Sequence, residues 1–186
     1  MPDGTGIPNL VMGKIQTHFP LSIDHRLLII VQHNVLRAVL KNIFNLHIDL
    51  SFVSDDNAIS PFNPAYRMLE CGEPLPPSLE PTKVQKFTSH HPWIDLFPFP
   101  DFRDLVISAE NSFDETELCA DMVGMGNLQA NGRGPGMIVW GPPERIESWE
   151  ISRELFEKWR PLFSRAKDIL EATNMRRRSR REHGLA

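Results

Sequence analysis

The sequence predicts a mainly α-helical fold, an irregular helical domain with long, proline-rich ordered loops and at most one or two short strands. Apolar residues recur at three- and four-residue steps over residues 24–46 and 152–170, which is the period of an amphipathic helix. Most of the 16 prolines lie between those two stretches, where they exclude long helices. The chain of 186 residues favours one domain. We expect a flexible leader over residues 1–21, a single domain over 22–174 and a basic tail over 175–186.

The first of these stretches has the clearest helical pattern. Asp24 can cap its N-terminus, and Ile23 and Leu28 have the spacing of a hydrophobic staple. Its apolar face comprises Leu28, Val31, Val35, Ala38, Val39, Ile43 and Leu46. From residue 49 to residue 75 the chain becomes polar and is broken by prolines, which is typical of an ordered loop or a linker.

Residues 75–107, which we call the hub strip, concentrate proline, histidine and aromatic residues near the middle of the chain. Pro92, Pro98 and Pro100 lack amide hydrogens and disfavour helical geometry at the preceding residue, so the hub strip cannot be one continuous helix. Its aromatic side chains are nevertheless too apolar to remain in water. We expect the strip to lie extended across the helices, with its rings buried in their surface.

Capping signals predict two short helices after this point. Asp101 is expected to cap a helix over residues 101–107. Asp114 begins a capping-box pattern for a helix over residues 115–123, and Gly124 can take the left-handed turn that ends it.

The remaining elements are a short strand and a broken helix. The glycines of residues 124–136 match neither the dinucleotide-binding nor the phosphate-loop fingerprint, so we interpret them as a connector. Residues 137–140 form a short apolar run that predicts a buried strand. Ser152 is the expected N-cap of the last helix, and Pro161 predicts a bend near Trp159 or two abutting helices. We expect the two long helices to pack together beneath the hub strip.

Three polar residues of the hub strip raise the possibility of a metal site or acid–base chemistry. His90, His91 and Asp95 are suitable residue types, but Pro92 disfavours a shared helix face for His91 and Asp95, and no third ligand has metal-site spacing. Hydrogen bonds that fix the loop around Trp93 are the favoured interpretation. The candidate site residues, which either tie the fold together or also present a face to a partner, are His90, His91, Trp93, Asp95 and Arg103.

No pattern in the chain indicates an enzyme. It has no nucleophile elbow, no zinc-protease motif and no zinc-deaminase motif. We therefore expect a non-enzymatic protein without a cofactor. Its four tryptophans can form a ligand-binding cage, although core packing is the favoured role.

The basic tail reverses the charge of the rest of the chain. Of the 20 Lys and Arg residues five lie after Asn174, against one of the 24 acidic residues, so residues 1–174 carry a formal net charge of −8. Two readings stay equally open: a solvated, frayed helix end, or a nuclear-import cluster or phosphate-binding arm. The arginines concerned are Arg176, Arg177, Arg178, Arg180 and Arg181.

Cysteine usage and hydropathy favour a soluble intracellular protein. Cys71 and Cys119 suggest no disulfide framework, and the longest apolar run, residues 27–31, is far shorter than a membrane span.

Several runs in the same order resemble the fungal domain of unknown function that is found C-terminal to basic leucine zippers. The resemblance covers about residues 22–174, and the run at residues 90–95 (His-His-Pro-Trp-Ile-Asp) is its most specific part. The other matching runs lie at residues 24–27, 34–38, 75–82 with Gln85, 96–100 with Arg103 and Asp104, 118–121, 138–141, 149–152, 158–159 and 173–174.

The resemblance implies a nuclear, fungal transcription-regulatory or protein-interaction domain whose partners belong to the transcription machinery or are other regulators. A small-molecule-sensing domain is the alternative, and an uncharacterised enzyme comes third. No basic region or leucine heptad stands before Ser22, so direct sequence-specific DNA binding by these residues is not expected.

Overall fold

The computed structural model describes residues 23–63, 74–109, 112–125 and 136–186, with side chains from residue 30 onward. This part of the chain is mainly helical, as predicted. It contains short 3₁₀ helices at Pro77–Leu79, Pro92–Leu96 and Ile146–Ser148, and two strands, β1 (Met137–Val139) and β2 (Trp149–Ile151). Its α-helices are α1 (Ile23–Asn45), α2 (Leu50–Val53), α3 (Lys83–Phe87), α4 (Pro100–Ser108), α5 (Glu115–Met122), α6 (Arg153–Lys158), α7 (Arg160–Phe163) and α8 (Lys167–Ser179).

Helix α1 confirms the strongest sequence prediction. Val35, Ala38 and Asn42 are buried along one side of it, at the three- and four-residue steps that bring side chains to a single face. The helix begins at Ile23, so Asp24 lies inside it rather than in the predicted capping position.

Strands β1 and β2 form an antiparallel ribbon in which Met137 lies opposite Ile151 and Val139 lies opposite Trp149. The strand predicted at residues 137–140 is confirmed over Met137–Val139, but its predicted burial holds only for Met137, and Trp140 is half exposed. Helix α1 packs chiefly on β1, and α8 packs chiefly on β2. The ribbon, rather than the direct helix–helix contact that the sequence suggested, provides the main packing of both long helices.

The break predicted at Pro161 is present. The hydroxyl of Ser152 accepts the amide hydrogen of Leu155 at 3.0 Å and so caps α6, as predicted. Trp159 separates α6 from α7, and Pro161 occupies the first turn of α7, where its missing amide hydrogen costs nothing.

The centre of the hub strip, residues 92–99, is buried as predicted, whereas Phe87 is 82% exposed, and the strip is not extended. Pro92–Leu96 forms a 3₁₀ helix, because Pro92 suits its first position and Nδ1 of His91 accepts the Trp93 amide hydrogen at 3.2 Å. The strip then turns at Phe97 and continues as α4.

The predicted capping role of Asp101 is wrong, whereas that of Asp114 is confirmed. Helix α4 begins with Pro100, and the amide of Asp101 donates to Oδ2 of Asp168 at 2.7 Å, so a carboxylate from the first turn of α8 caps α4. Oδ1 of Asp114 accepts the amide hydrogen of Glu117 at 3.0 Å. Gly124 follows α5 with a φ of 78°, the left-handed turn that was expected.

Aromatic rings of the hub strip form the centre of the hydrophobic core. Phe97 and Phe99 each contact Trp149 of β2 edge-on, with ring centroids 5.8 and 5.9 Å apart. Phe102 stacks on Phe163 of α7 at 5.5 Å. The strip therefore joins the ribbon to the C-terminal helices through buried ring contacts.

Gly136 provides a test of the packing between the ribbon and α5. A Cβ at this position would lie 1.8 Å from the carbonyl oxygen of Asp121. We expect Gly136→Ala to lower the free energy of unfolding by about 3 kcal/mol or more, since two backbone segments would have to separate. Urea denaturation of wild type and variant measures the change in the free energy of unfolding. Gly141→Ala, whose Cβ would meet only the Ser148 side chain at 3.0 Å, is the matched control and should cost far less.

Candidate functional site

The most concentrated polar cluster of the hub strip surrounds the buried carboxylate of Asp95. The Ser60 hydroxyl donates to its Oδ2 at 2.7 Å, and the Gln85 amide donates to its Oδ1 at 2.5 Å. Nε2 of His90 lies 2.9 Å from the same Oδ1. Asp95 therefore connects the loop after α2, helix α3 and the residues that precede the 3₁₀ helix.

The hydrogen bonds of His90 determine its protonation. Nδ1 lies 2.8 Å from the Thr88 carbonyl oxygen, which can only accept, and Nε2 faces the Asp95 carboxylate. Hydrogen bonds from both ring nitrogens require two N–H donors, so this geometry favours the imidazolium form of His90. Burial alone would lower the pKa of His90, but the hydrogen bond and negative charge of Asp95, with the Thr88 carbonyl, outweigh it and raise that pKa.

His91 has a separate, structural role. Its Nδ1 accepts from the Trp93 amide, and its Nε2 donates to the Asp55 carbonyl oxygen at 3.0 Å. Both nitrogens are thus used in fixing the loop, in agreement with the favoured sequence interpretation. In the described part of the chain, no group of three or more His, Cys, Asp or Glu residues could hold a metal ion.

Arg103 is a second buried cation in the hub strip. Its guanidinium donates to the carbonyl oxygens of Phe97 and Glu80, at 3.3 and 3.0 Å, while Nε has no hydrogen-bond partner among the described residues. Burial lowers its pKa, and the negative charges of Asp95 and Asp104 offset this only in part. Arg103 ties the turn at Phe97 to the segment before α3.

The four tryptophans do not converge on one cage. Trp93 contacts Phe97 edge-on at 6.1 Å, and Trp149 contacts the other core rings. Trp159 instead contacts Phe113, and Trp140 lies half exposed beneath two arginines. This arrangement favours the core-packing role for Trp93 and Trp149.

A half-open groove of about 630 Å³ lies beside the hub strip. Apolar side chains from α1, the 3₁₀ helix and α5 line most of it, among them Val39, Trp93 and Val123. Cys119 also lines the groove, and burial raises the pKa of its thiol to about 11, so it is protonated at neutral pH. Cys71 lies outside the described residues, as does most of the predicted glycine-rich connector.

The basic tail is folded onto the domain. Arg180 forms a two-pronged ion pair with the buried carboxylate of Glu150, at 2.9 and 2.6 Å, and that carboxylate also accepts from the Trp140 indole at 2.9 Å. The hydrogen bonds with Glu150 and Glu182 raise the pKa of Arg180. Leu185 is buried in the core cluster.

These contacts overturn the frayed-end reading of the tail. Helix α8 runs through the boundary expected at residue 174, and Arg177 also pairs with Glu182, at 3.3 Å. Arg176 donates to the Glu147 carbonyl oxygen at 2.6 Å. Arg178, Arg180 and Arg181 are all exposed, but only Arg178 and Arg181 form no ion pair with any described residue. The import and phosphate-binding readings stay predictions.

Several residues of these clusters were not among the predicted site residues. Ser60 and Glu150 gave no local signal, because each bonds to a residue 30 or more positions away. Gln85 did carry a local sequence signal, because Thr82 and Gln85 form a capping box at the start of α3. That three-residue spacing would have identified the helix.

Comparison with known proteins connects this fold to one family description. A family model described as "Domain of unknown function (DUF3425)" matches residues 67–169. The match includes the hub strip, β1, β2, α6 and α7. No curated protein and no solved structure matches the chain.

The pH dependence of stability tests the assignment of His90. Its pKa in the folded state lies above the ordinary 6.5, so its contribution is fully present below pH 6.5 and is lost as the pH rises through the folded-state pKa. We expect the free energy of unfolding to decrease over that interval in wild type. His90→Gln should abolish this decrease, while His33→Gln, which changes an exposed histidine, should retain it. Urea titrations at a series of pH values provide the measurement; an unchanged decrease in His90→Gln would exclude the assignment.

Substitution of Glu150 tests the attachment of the tail. Glu150→Gln removes the charge that Arg180 pairs with, and we expect a loss of about 1–2 kcal/mol, a modest value because Arg180 is partly solvated. Amide hydrogen exchange over residues 175–185 should accelerate as well. Glu182→Gln, which changes the exposed partner, should leave that exchange nearly unchanged; equal exchange in both variants would contradict this account.

Proposed function

The chain belongs to the family described as Domain of unknown function (DUF3425), and on that premise we propose that it is a non-enzymatic protein-interaction domain that acts in transcription regulation. The resemblance to the fungal domain found beside basic leucine zippers supports this setting. In the proposal, the partner is a component of the transcription machinery or another regulator, and the protein acts in the nucleus.

The geometry of the hub strip supports a non-enzymatic role. The side chains of His90 and Asp95 are 2% and 0% exposed, and His91 uses both ring nitrogens in backbone hydrogen bonds. A general acid or base must reach its substrate within hydrogen-bond distance. These groups are instead committed to one another and to the loops that they fasten.

One observation carries the proposal: helix α1 has a second apolar face that is exposed in the described part of the chain. We define the α1 outer face as Ile30, Leu36, Leu40 and Phe44, all of which are exposed, Leu40 to 50% and Phe44 to 69%. The opposite side of the same helix is buried in the core. Apolar side chains on both sides of α1 indicate that the helix contacts a second molecule in addition to the core of its own domain.

The exposed part of the tail supports the nuclear setting. Arg178 and Arg181 are accessible on the surface, whereas Arg177 and Arg180 pair with Glu150. A basic cluster of this kind is suited to recognition by an import receptor.

The groove beside Trp93 favours a second candidate function, the sensing of a small molecule. Its volume of about 630 Å³ lies within the range of ligand pockets, and its lining is largely apolar. Candidate ligands would be apolar compounds of modest size.

A reporter assay tests the first function. The chain is fused to an unrelated DNA-binding domain, and transcription of a reporter gene is measured in fungal cells. We expect wild type to change the output and the double variant Leu40→Ser/Phe44→Ser to lose most of that change, because the α1 outer face can no longer bury apolar area on a partner.

Phe87→Ser is the matched control, since Phe87 is 82% exposed on α3, away from the α1 outer face. It should behave as wild type. If wild type has no effect on the reporter, or if the α1 variant equals wild type at the same cellular level, the proposed function is wrong.

A further inference from the structure

We infer that the α1 outer face binds an amphipathic helix of another protein that carries acidic side chains beside its apolar stripe. The inference rests on the proposed function and specifies the chemistry of its partner.

The shape of the surface fits a helical partner. At 100° per residue, the four side chains of the α1 outer face fall within a sector of about 120°. Ile30 and Phe44 are 14 positions apart, which corresponds to about 21 Å along the helix axis. His33 and Arg37 fall within the same sector and are also exposed, so the face is most continuously apolar from Leu36 to Phe44. A second helix covers such a face when it lays its own apolar side along it.

The charge beside the stripe is uniformly positive. Between Asp24 and Asp49 the sequence contains no acidic residue. Arg37 and Lys41 lie next to the exposed apolar side chains, and Lys41 Nζ is 5.0 Å from the centre of the Phe44 ring.

These two cations also lack an ion-pair partner in the part of the chain that the structure describes. Neither Arg37 nor Lys41 forms an ion pair with a described residue, whereas Lys158 and Arg180 each pair with two carboxylates. An acidic helix would supply the missing charges while it buried the apolar stripe, and complementary charge would fix its orientation.

The same charges disfavour two other occupants. A second copy paired through this face would place Arg37 and Lys41 against their counterparts, and like charges at an interface are costly. An anionic membrane is disfavoured because acidic residues, Asp49, Asp55 and Asp56, follow α1 closely in the sequence. The chain as a whole carries a net charge of −4, which also opposes that approach.

Synthetic peptides provide the test. The first probe is an amphipathic peptide of about 18 residues, or five turns, with leucines at three- and four-residue spacing and flanking glutamates. The second has lysine in place of each glutamate. Fluorescence anisotropy with the full chain should show about tenfold tighter binding of the acidic peptide at low salt, with the difference reduced at high salt.

Variants separate the contributions of charge and apolar area. Arg37→Glu/Lys41→Glu should reverse the preference between the two peptides, and Leu40→Ser/Phe44→Ser should abolish binding of both. Lys83→Glu/Lys86→Glu, a matched charge reversal beside exposed Phe87 on α3, should leave the preference unchanged. Circular dichroism of each variant verifies folding.

Any other result contradicts the inference, and each one has a different consequence for the proposed function. Equal binding of both peptides, lost in Leu40→Ser/Phe44→Ser, would refute the acidic partner but leave the proposed function standing. Absence of binding would refute the inference, and the reporter assay would then decide the proposed function separately. A dimer that Leu40→Ser/Phe44→Ser dissociates, or binding to vesicles rich in phosphatidylserine without binding of either peptide, would assign the face to a second copy or to a membrane.

Discussion

The rest of the structure depends on the burial of the Asp95 carboxylate. Removing a carboxylate from water is costly unless its charge and its lone pairs are satisfied, and here three donors from separate segments satisfy them. Loss of any one donor would leave a buried charge incompletely paired. The path of the hub strip is therefore tied to the loop at Ser60, to α3 and to the charge of His90.

The same device recurs at two other places in the domain. Buried Asp121 of α5 accepts from Lys158 and from the Trp159 indole, and buried Glu150 of β2 accepts from Arg180. In each case one inward-facing carboxylate connects its element to a distant segment. At Asp95 the contacts hold irregular backbone, because prolines prevent long helices in that part of the chain. At Asp121 and Glu150 they join regular elements, α5 to α6 and β2 to the end of α8.

Features that depend on contacts between sequence neighbours were predicted, whereas those that depend on less local or less visible contacts were missed. Helix α1, the cap at Ser152 and the break at Pro161 depend on neighbours within a few positions, and all three were predicted correctly. The 3₁₀ form of Pro92–Leu96 was missed, because His91 and Trp93 stabilise it through a contact that proline spacing does not reveal. The docking of the tail on Glu150 was missed because its partners lie 30 positions apart.

For the candidate site, the structure shows where the predicted residues lie and leaves their role a prediction. Four of the five predicted hub residues, His90, Trp93, Asp95 and Arg103, are buried. Periodicity also marked the apolar side of α1 that is buried, but an apolar helix position does not itself distinguish a core contact from a partner contact. The exposure of Leu40 and Phe44 distinguishes the outer face of α1 from its buried face, and it makes α1 rather than the hub strip the candidate surface for a partner.

The central claim, that a buried imidazolium–carboxylate pair organises the hub strip, is tested most directly by nitrogen-15 NMR of the histidine rings at pH 6.5, the ordinary histidine pKa. The account predicts that both His90 ring nitrogens carry protons there, one donated to the Thr88 carbonyl oxygen and the other to Asp95. Two protonated ring nitrogens with slowly exchanging hydrogens, lost in Asp95→Asn, are the predicted result. A neutral His90 ring with one unprotonated nitrogen would contradict the account.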